Sequence, residues 1–370
     1  MIRTSELSYD RLFIGGQWRD PSTSAVIEVH SPHDGRLVGS VPEASQGDVD
    51  RSVAAARQAF DAGVWALTPP EERRAVIRRF DELHHARAAE FARLITAENG
   101  SPIWFTSMLQ DSLTGQTGAY LRAAEELGWE ERRPFPGGSS ELVFLHEPVG
   151  IVAAVIPWNA PHQSALTKVI PALLAGNSVI LKLAPETALD GMALGDLLRE
   201  AGLPDGVFSV LPAGREVSEY LVSRPDIDKI AFTGSTAAGR RIAAIAGEQL
   251  KRVSLELGGK SASIVLPDAD LGSTVSGLKF AAYANNGEAC IAHTRILLPR
   301  SRYAEFVDAL ASMTVGLTVG DPSDPATFVG PMVRAVVPQG ERPNASRNLR
   351  LACCNVSRRV FGRFLPARLI

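Results

Sequence analysis

Two residues 34 positions apart, Glu256 and Cys290, are of the types that acyl transfer through sulfur requires. A thiolate can attack a carbonyl carbon, and a carboxylate can then activate water against the resulting thioester. Glu256 sits in Val253-Ser254-Leu255-Glu256-Leu257-Gly258-Gly259-Lys260, at the end of an apolar run with two glycines behind it. Cys290 sits in Asn286-Gly287-Glu288-Ala289-Cys290-Ile291-Ala292. Each also has an ordinary structural reading: a carboxylate at a strand end is usually solvated or salt-bridged, and a free cysteine usually packs as a small hydrophobe. Upstream, Pro157-Trp158-Asn159 closes a buried run; it is either a turn or the source of an amide that donates to an oxyanion. Lys182 ends the next apolar run, where it could reach solvent or bind a ribose or phosphate group.

These groups must be positioned by regular elements, and the chain supplies them in a definite rhythm. Phe13 to Trp18 reads as a strand broken by a turn, and Gly35 marks another turn. A helix is expected over Gln46–Phe60. A longer one is expected from Thr68-Pro69-Pro70-Glu71-Glu72, capped by Thr68, to Asn99-Gly100, with Val76, Phe80, Leu83, Phe91, Leu94 and Ile95 facing inward. His84 and His85 are adjacent and so point about 100° apart, which excludes an i,i+4 metal pair and suggests a surface position. After a mostly helical stretch to Gly128, residues 131–146 read as a hairpin around Pro136-Gly137-Gly138, with an exposed strand that invites pairing with another chain.

Beyond Pro148 strands and helices alternate. The expected strands are Ile151–Ile156, Val179–Leu181, Val207–Leu211 and Ile230–Phe232, and the helices Ser164–Leu174, Gly191–Ala201, Glu216–Val222 and one from Thr236. This predicts a parallel sheet with helices on both faces, with ligands bound beyond the carboxyl ends of the strands. Phe232-Thr233-Gly234-Ser235-Thr236-Ala237-Ala238-Gly239 falls at such an end, where a helix start offers N–H groups to a phosphate. It is not the G-x-G-x-x-G fingerprint, because position 236 is Thr, and a plain strand-to-helix turn would use the same residues. Gly259-Lys260-Ser261 is not a triphosphate-binding loop, since position 254 is Ser. A second region follows Gly259, with a strand at Ser263–Leu266 and a helix carrying Leu271, Val275, Leu278 and Ala282.

At 370 residues the chain exceeds the single-core limit of about 250–300, so more than one domain is expected. A net charge of −3 with 21% charged residues gives no electrostatic reason to expect nucleic acid or an anionic membrane as partner. The first residues lack a signal-peptide pattern, no apolar run is long enough to span a bilayer, and three cysteines make neither a disulfide framework nor a zinc-ligand spacing. A cytoplasmic protein without metal is the expectation.

Taken together, Pro157-Trp158-Asn159, Phe232-Thr233-Gly234-Ser235, Leu255-Glu256-Leu257-Gly258-Gly259-Lys260 and Gly287-x-x-Cys290 resemble the NAD(P)-dependent aldehyde dehydrogenase superfamily over roughly residues 12 to 333. The resemblance implies an α/β fold. A parallel-sheet cofactor domain would span 1–129 and 148–257, a bridging hairpin for oligomerisation 130–147, and an incomplete α/β catalytic domain 258–333. It implies Cys290 as nucleophile, Glu256 as general base and Asn159 as oxyanion donor, in oxidation of an aldehyde to a carboxylic acid through a thiohemiacetal and a thioester. It also implies cofactor contacts along Ile156, Pro157, Trp158, Lys182, Gly214, Phe232, Thr233, Gly234, Ser235, Gly239 and Leu257. Pro185 stands three residues after Lys182, where NAD-preferring relatives often carry Glu to hold both ribose hydroxyls. NAD is preferred here, with NADP open. A homodimer or tetramer, weakened here by the missing final strand that pairs with the bridging hairpin, and a small aldehyde substrate are the implied partners.

The pattern holds through Val329-Gly330-Pro331-Met332-Val333 and then stops. From Arg334 to Ile370 there are eight Arg, no Lys, no Asp and one Glu, and the acidic-x-Phe-Gly-Pro segment of the family is missing. Such a composition is what a shifted reading frame in a GC-rich gene, or a sequencing error, produces; a genuine basic extension is the other reading. A second functional class therefore stands beside the enzyme: a catalytically dead remnant that at most binds a dinucleotide or associates with other subunits. The resemblance places a substrate tunnel near 115–129 and around Cys290. Trp104, Leu109, Leu113 and Tyr120 suggest an apolar aldehyde, though core packing explains them equally.

Overall fold

A computed structural model of the protein describes residues 7–334; the expectations for the first six residues and for 335–370 lie outside the described residues. The chain forms two compact units. The first takes 7–29, 38–91 and 109–256 of the described residues, and the second takes 30–37, 92–108 and 257–334. Segments 30–37 and 92–108, expected with the cofactor domain, cluster with the second unit, where the Ser101 hydroxyl bonds Asn285 and the Asn286 amide bonds the Gly100 carbonyl.

The elements of the N-terminal part are β1 (Leu7–Ser8), β2 (Leu12–Ile14), β3 (Gln17–Arg19), β4 (Val26–His30), β5 (Leu37–Pro42) and helices α1 (Gln46–Asp61), α2 (Pro70–Ala86), α3 (Ala88–Asn99) and α4 (Ile103–Glu126). Helix α1 begins in a capping box in which Ser45 and Asp48 each satisfy the other's backbone N–H. Thr68 does not cap α2. The N-cap position is Pro69, and the Thr68 hydroxyl instead donates back to the Val64 carbonyl at 3.0 Å. The single long helix expected over 70–99 is two helices. The chain breaks at Arg87, whose N–H closes a tight turn onto the His84 carbonyl at 3.0 Å. The inward face of α2 is Arg73, Ile77, Phe80 and His84 rather than Val76 and Leu83. His84 is therefore a core residue, not a surface one. Its ring stacks on Phe80 and on Phe91, at 5.8 and 5.2 Å, so π-surface rather than water surrounds it.

Strands β6 (Glu130–Pro134) and β7 (Glu141–Leu145) form an antiparallel two-stranded hairpin, every residue of which is exposed. The alternating part follows: β8 (Ile151–Val155), α5 (Pro161–Leu174), β9 (Ser178–Leu183), α6 (Leu189–Glu200), β10 (Phe208–Pro212), α7 (Arg215–Ser223), β11 (Lys229–Gly234), α8 (Thr236–Glu248) and β12 (Arg252–Leu257). Helix α5 starts three residues before Ser164, because Pro161 suits the first helical position. One seven-stranded sheet has the order β12-β11-β8-β9-β10-β2-β3. Strands β11, β8, β9 and β10 are parallel neighbours, while β2 and β3 add an antiparallel edge. Strands β8, β9 and β10 are buried along their whole length, as strands covered by helices on both faces must be. Edge strand β12 is different: the run before Glu256 is mostly exposed, and Val253 keeps 38% of its surface in water.

The second unit contains β13 (Ala262–Ile264) and β14 (Arg295–Leu297), paired in parallel, with α9 (Leu271–Tyr283) and α10 (Tyr303–Val315) packed on each other. The expected strand at Ser263–Leu266 is shorter, and Ile264 and Leu266 are 72% and 60% exposed. Among the described residues no helix is long and apolar enough to cross a membrane.

Candidate functional site

The strand order itself marks a site in the first unit. The chain runs β8, β9, β10 in one direction and then returns to place β11 on the other side of β8. The crevice between the carboxyl ends of β8 and β11 is thus the topological switch point, where open parallel sheets bind ligands. The register brings these ends level: Phe232 lies opposite Val155, Val155 opposite Lys182, and Lys182 opposite Leu211. Segments Ile156–Asn159, Pro212–Gly214 and Thr233–Ser235 therefore leave the sheet along one edge. Ile156, Phe232 and Gly239 are buried; Pro157, Trp158, Asn159, Gly214, Thr233 and Gly234 are half-buried; Ser235 is exposed.

Three observations bear on whether this edge fits a dinucleotide. Lys182 does not reach solvent: it is 8% exposed, and its Nζ donates to the Ala213 carbonyl at 3.4 Å, a neutral partner. Burial alone pushes its pKa down to about 8, so this is a cation held without a carboxylate, suited to hydroxyl or phosphate oxygens. Ser235 caps α8, accepting from the Ala238 N–H at 3.2 Å, and the first turn of that helix leaves N–H groups that no helical carbonyl can satisfy. Gly234 has no room for a side chain, since a Cβ there would lie 2.5 Å from the Phe232 ring. The residues present fit such a group.

Glu256 is exposed on β12, beside β11. Its neighbour in charge is Lys168 on α5, a residue the sequence did not single out. The Lys168 Nζ donates to Thr233 Oγ1 at 2.5 Å; burial lowers its pKa and the Glu256 charge pulls it back up. A lysine inside a helical pattern carries no signal of its own. What could have marked Lys168 is that it is the one Lys, Arg, Asp or Glu between Asn159 and Leu174.

Cys290 and Leu257 belong to the second unit. Cys290 is a free, exposed thiol. It follows α9 through a short 3-10 turn in which Asn285, Asn286 and Gly287 all take positive φ, at 54°, 59° and 71°. Gly259 packs against its backbone, where an added Cβ would sit 3.7 Å from the Cys290 carbonyl oxygen. Among the described residues no group of three or more His, Cys, Asp or Glu could hold a metal.

The sequence pattern of the aldehyde dehydrogenase family matches residues 18–337. Geranial dehydrogenase of Castellaniella defragrans is 43% identical over 330 residues, covering 89% of this chain and 69% of that protein. The NADP/NAD-dependent aldehyde dehydrogenase PuuC of Escherichia coli is 38% identical over 328 residues, covering 88% of this chain and 66% of that protein. The crystal structure of a Mycobacterium tuberculosis aldehyde dehydrogenase complexed with NAD+ superimposes with a TM-score of 0.86 at 46% identity, covering 89% of this chain and 68% of that one. Across these relatives the chain spans 66–69% of their length.

Proposed function

Because this chain belongs to the aldehyde dehydrogenase family, whose general reaction is the oxidation of aldehydes to acids, we propose that it catalyses this reaction with NAD(P)+ through a thiohemiacetal and a thioester on Cys290. The Cys290 thiolate forms a C–S bond to the aldehyde carbon, and the carbonyl π pair moves to oxygen. The Asn159 amide and the Cys290 backbone N–H donate to that oxyanion. The dinucleotide, when bound, supplies the nicotinamide ring that accepts hydride. Glu256 then takes a proton from water as its oxygen bonds to the thioester carbon. The C–S bond breaks, Cys290 leaves as thiolate, and the acid departs.

Lys182 and the start of α8 would hold the cofactor's ribose and phosphate oxygens, with Trp158, Gly214, Gly234 and Leu257 along its path. With Pro185 three residues after Lys182, no carboxylate enforces NAD at that point, yet we take NAD as the cofactor used. The structural relative bound to NAD+ supports that choice, and the relative named as NADP/NAD-dependent is the counterexample. An apolar aldehyde is the proposed substrate class, in keeping with the relative named for geranial. Self-association through the hairpin of β6 and β7, and a cytoplasmic location, complete the reading.

The observation that carries it is Cys290, a free and exposed thiol that follows a turn of buried residues. The test follows aldehyde-dependent reduction of NAD+ and NADP+ by absorbance, together with covalent trapping of the thiol. Cys290→Ala should abolish turnover, and Asn159→Ala should lower it by about 10²–10³. A trapped Cys290 without turnover in the parent chain would replace this reading with that of a non-catalytic, dinucleotide-binding protein.

A further inference from the structure

Three motifs of the sequence have no part in the chemistry above: Asn99-Gly100, Asn285-Asn286 and Gly330-Pro331. In the second unit they converge on one side chain. Asn286 is 1% exposed, and its amide makes three hydrogen bonds to backbone of the other two segments. Nδ2 donates to the carbonyls of Gly100 at 3.0 Å and Pro331 at 2.9 Å, and Oδ1 accepts from the Gly330 N–H at 2.7 Å. Its neighbour Asn285 is 2% exposed and accepts from the Ser101 hydroxyl at 2.5 Å. The two glycines make the approach possible. A Cβ on Gly330 would lie 2.3 Å from the Gly100 carbonyl oxygen, and one on Gly100 would lie 2.8 Å from the Pro331 ring.

Cys290 stands four residues after this amide. The chain between them starts from three consecutive left-handed residues, two of them not glycine, a backbone that L-residues hold only when surroundings enforce it. Asn tolerates that region better than other side chains, and here its amide also ties the turn to two separate loops. We propose that Asn286 is a positioning residue for the nucleophile: its three bonds fix the turn that aims Cys290, and they act on catalysis through that thiol alone. This rests on the reading of Cys290 as nucleophile.

The experiment uses the full chain and two substitutions that separate backbone from amide. Asn286→Gly keeps the left-handed turn and removes all three bonds. Asn286→Asp keeps the acceptor but sets a carboxylate against two carbonyls, a clash relieved when the carboxyl protonates and donates to one of them. Iodoacetamide alkylation of Cys290 is followed by peptide mass, which separates it from Cys353 and Cys354. In Asn286→Gly the alkylation rate should move about threefold or more toward that of Cys290 in the urea-unfolded chain. Turnover should fall by up to about 10²-fold, with KM for NAD+ unchanged. In Asn286→Asp the same alkylation defect should recover as pH falls. Parental alkylation of Cys290 in Asn286→Gly, whatever its melting temperature, overturns the proposal. If that variant does not fold, a pH profile of Asn286→Asp parallel to the parent overturns it instead. Turnover by a Cys290→Ala control would remove the nucleophile reading separately, leaving the alkylation rates to decide whether Asn286 aims the thiol.

Discussion

His84, His162 and Asp190 form a buried titratable cluster that the proposed chemistry does not use. His162 Nδ1 lies 3.2 Å from Asp190 Oδ2, both side chains are 1% exposed, and the His84 ring meets the His162 ring edge-on at 5.2 Å. Burial, and then the neighbouring His85 and Arg87, push His84 down to about 4, and burial with His84 and Arg87 pushes His162 well down too. Burial raises Asp190 to about 8. The cluster is thus neutral near pH 7. Its two parts work in opposite directions. Each histidine has a folded pKa below its unfolded value, so the unfolded chain takes up more protons and stability drains as pH falls below 6.5; for His84, between 6.5 and about 4, the loss is about 3 kcal/mol. Asp190 has a folded pKa above its unfolded 3.8, so its contribution drains as pH rises from 3.8 through about 8. His84→Phe should reduce the acid loss and Asp190→Asn the loss above pH 6.5, read from urea unfolding at pH 5, 6.5 and 8. Slopes parallel to the parent in both variants would refute this account. No local pattern hinted at the cluster: adjacent histidines in a polar helix read as a surface pair, and the ring of Phe91 closes over His84, opposite Phe80 of the same helix, only after the chain turns at Arg87.

At the scale of elements, helix starts decide how the strand ends can meet a ligand. Ser235 caps α8 through its hydroxyl, whereas Gly214 at α7 and Ala160 at α5 provide no side-chain cap. Ser235→Ala should cost about 1 kcal/mol of stability by urea unfolding, and Ser235→Gly only a few tenths. Unchanged stability in Ser235→Ala would mean that the hydroxyl bond is not what holds this start. The alternation from β8 to β11 was legible because strands buried on both faces read as unbroken apolar runs. The break between α2 and α3 was not, because a helical apolar period continues across it and nothing near Arg87 is Gly or Pro. Asn159, Lys182, Gly234 and Glu256 were legible because each interrupts a pattern. Lys168 stands out only as the lone charge between Asn159 and Leu174, and its relation to Glu256 and Thr233 arises only when α5 packs across the sheet.

For the whole molecule, the two units differ in how well they are covered. The first unit buries the strands that carry the cofactor edge, while the second leaves Ile264, Leu266, Ile291 and Leu297 between 53% and 74% exposed among the described residues. Exposed apolar surface of this kind favours association. Ile264→Lys with Leu266→Glu should therefore raise solubility and lower binding of a hydrophobic dye, with a change in stability within about 0.5 kcal/mol as for other exposed sites. Unaltered dye binding would mean that these side chains are not the exposed patch.

Residue order by itself determined the alternating α/β rhythm, the projecting hairpin and the identities of the groups that could act on a carbonyl, because periodicity and punctuation are local properties of a chain. Tertiary structure alone decided that Lys182 is buried without a carboxylate, that Lys168 answers to Glu256, and that loops some 45 to 230 residues apart close on the Asn286 amide. Those outcomes depend on desolvation and on contacts between distant segments, which no local pattern encodes.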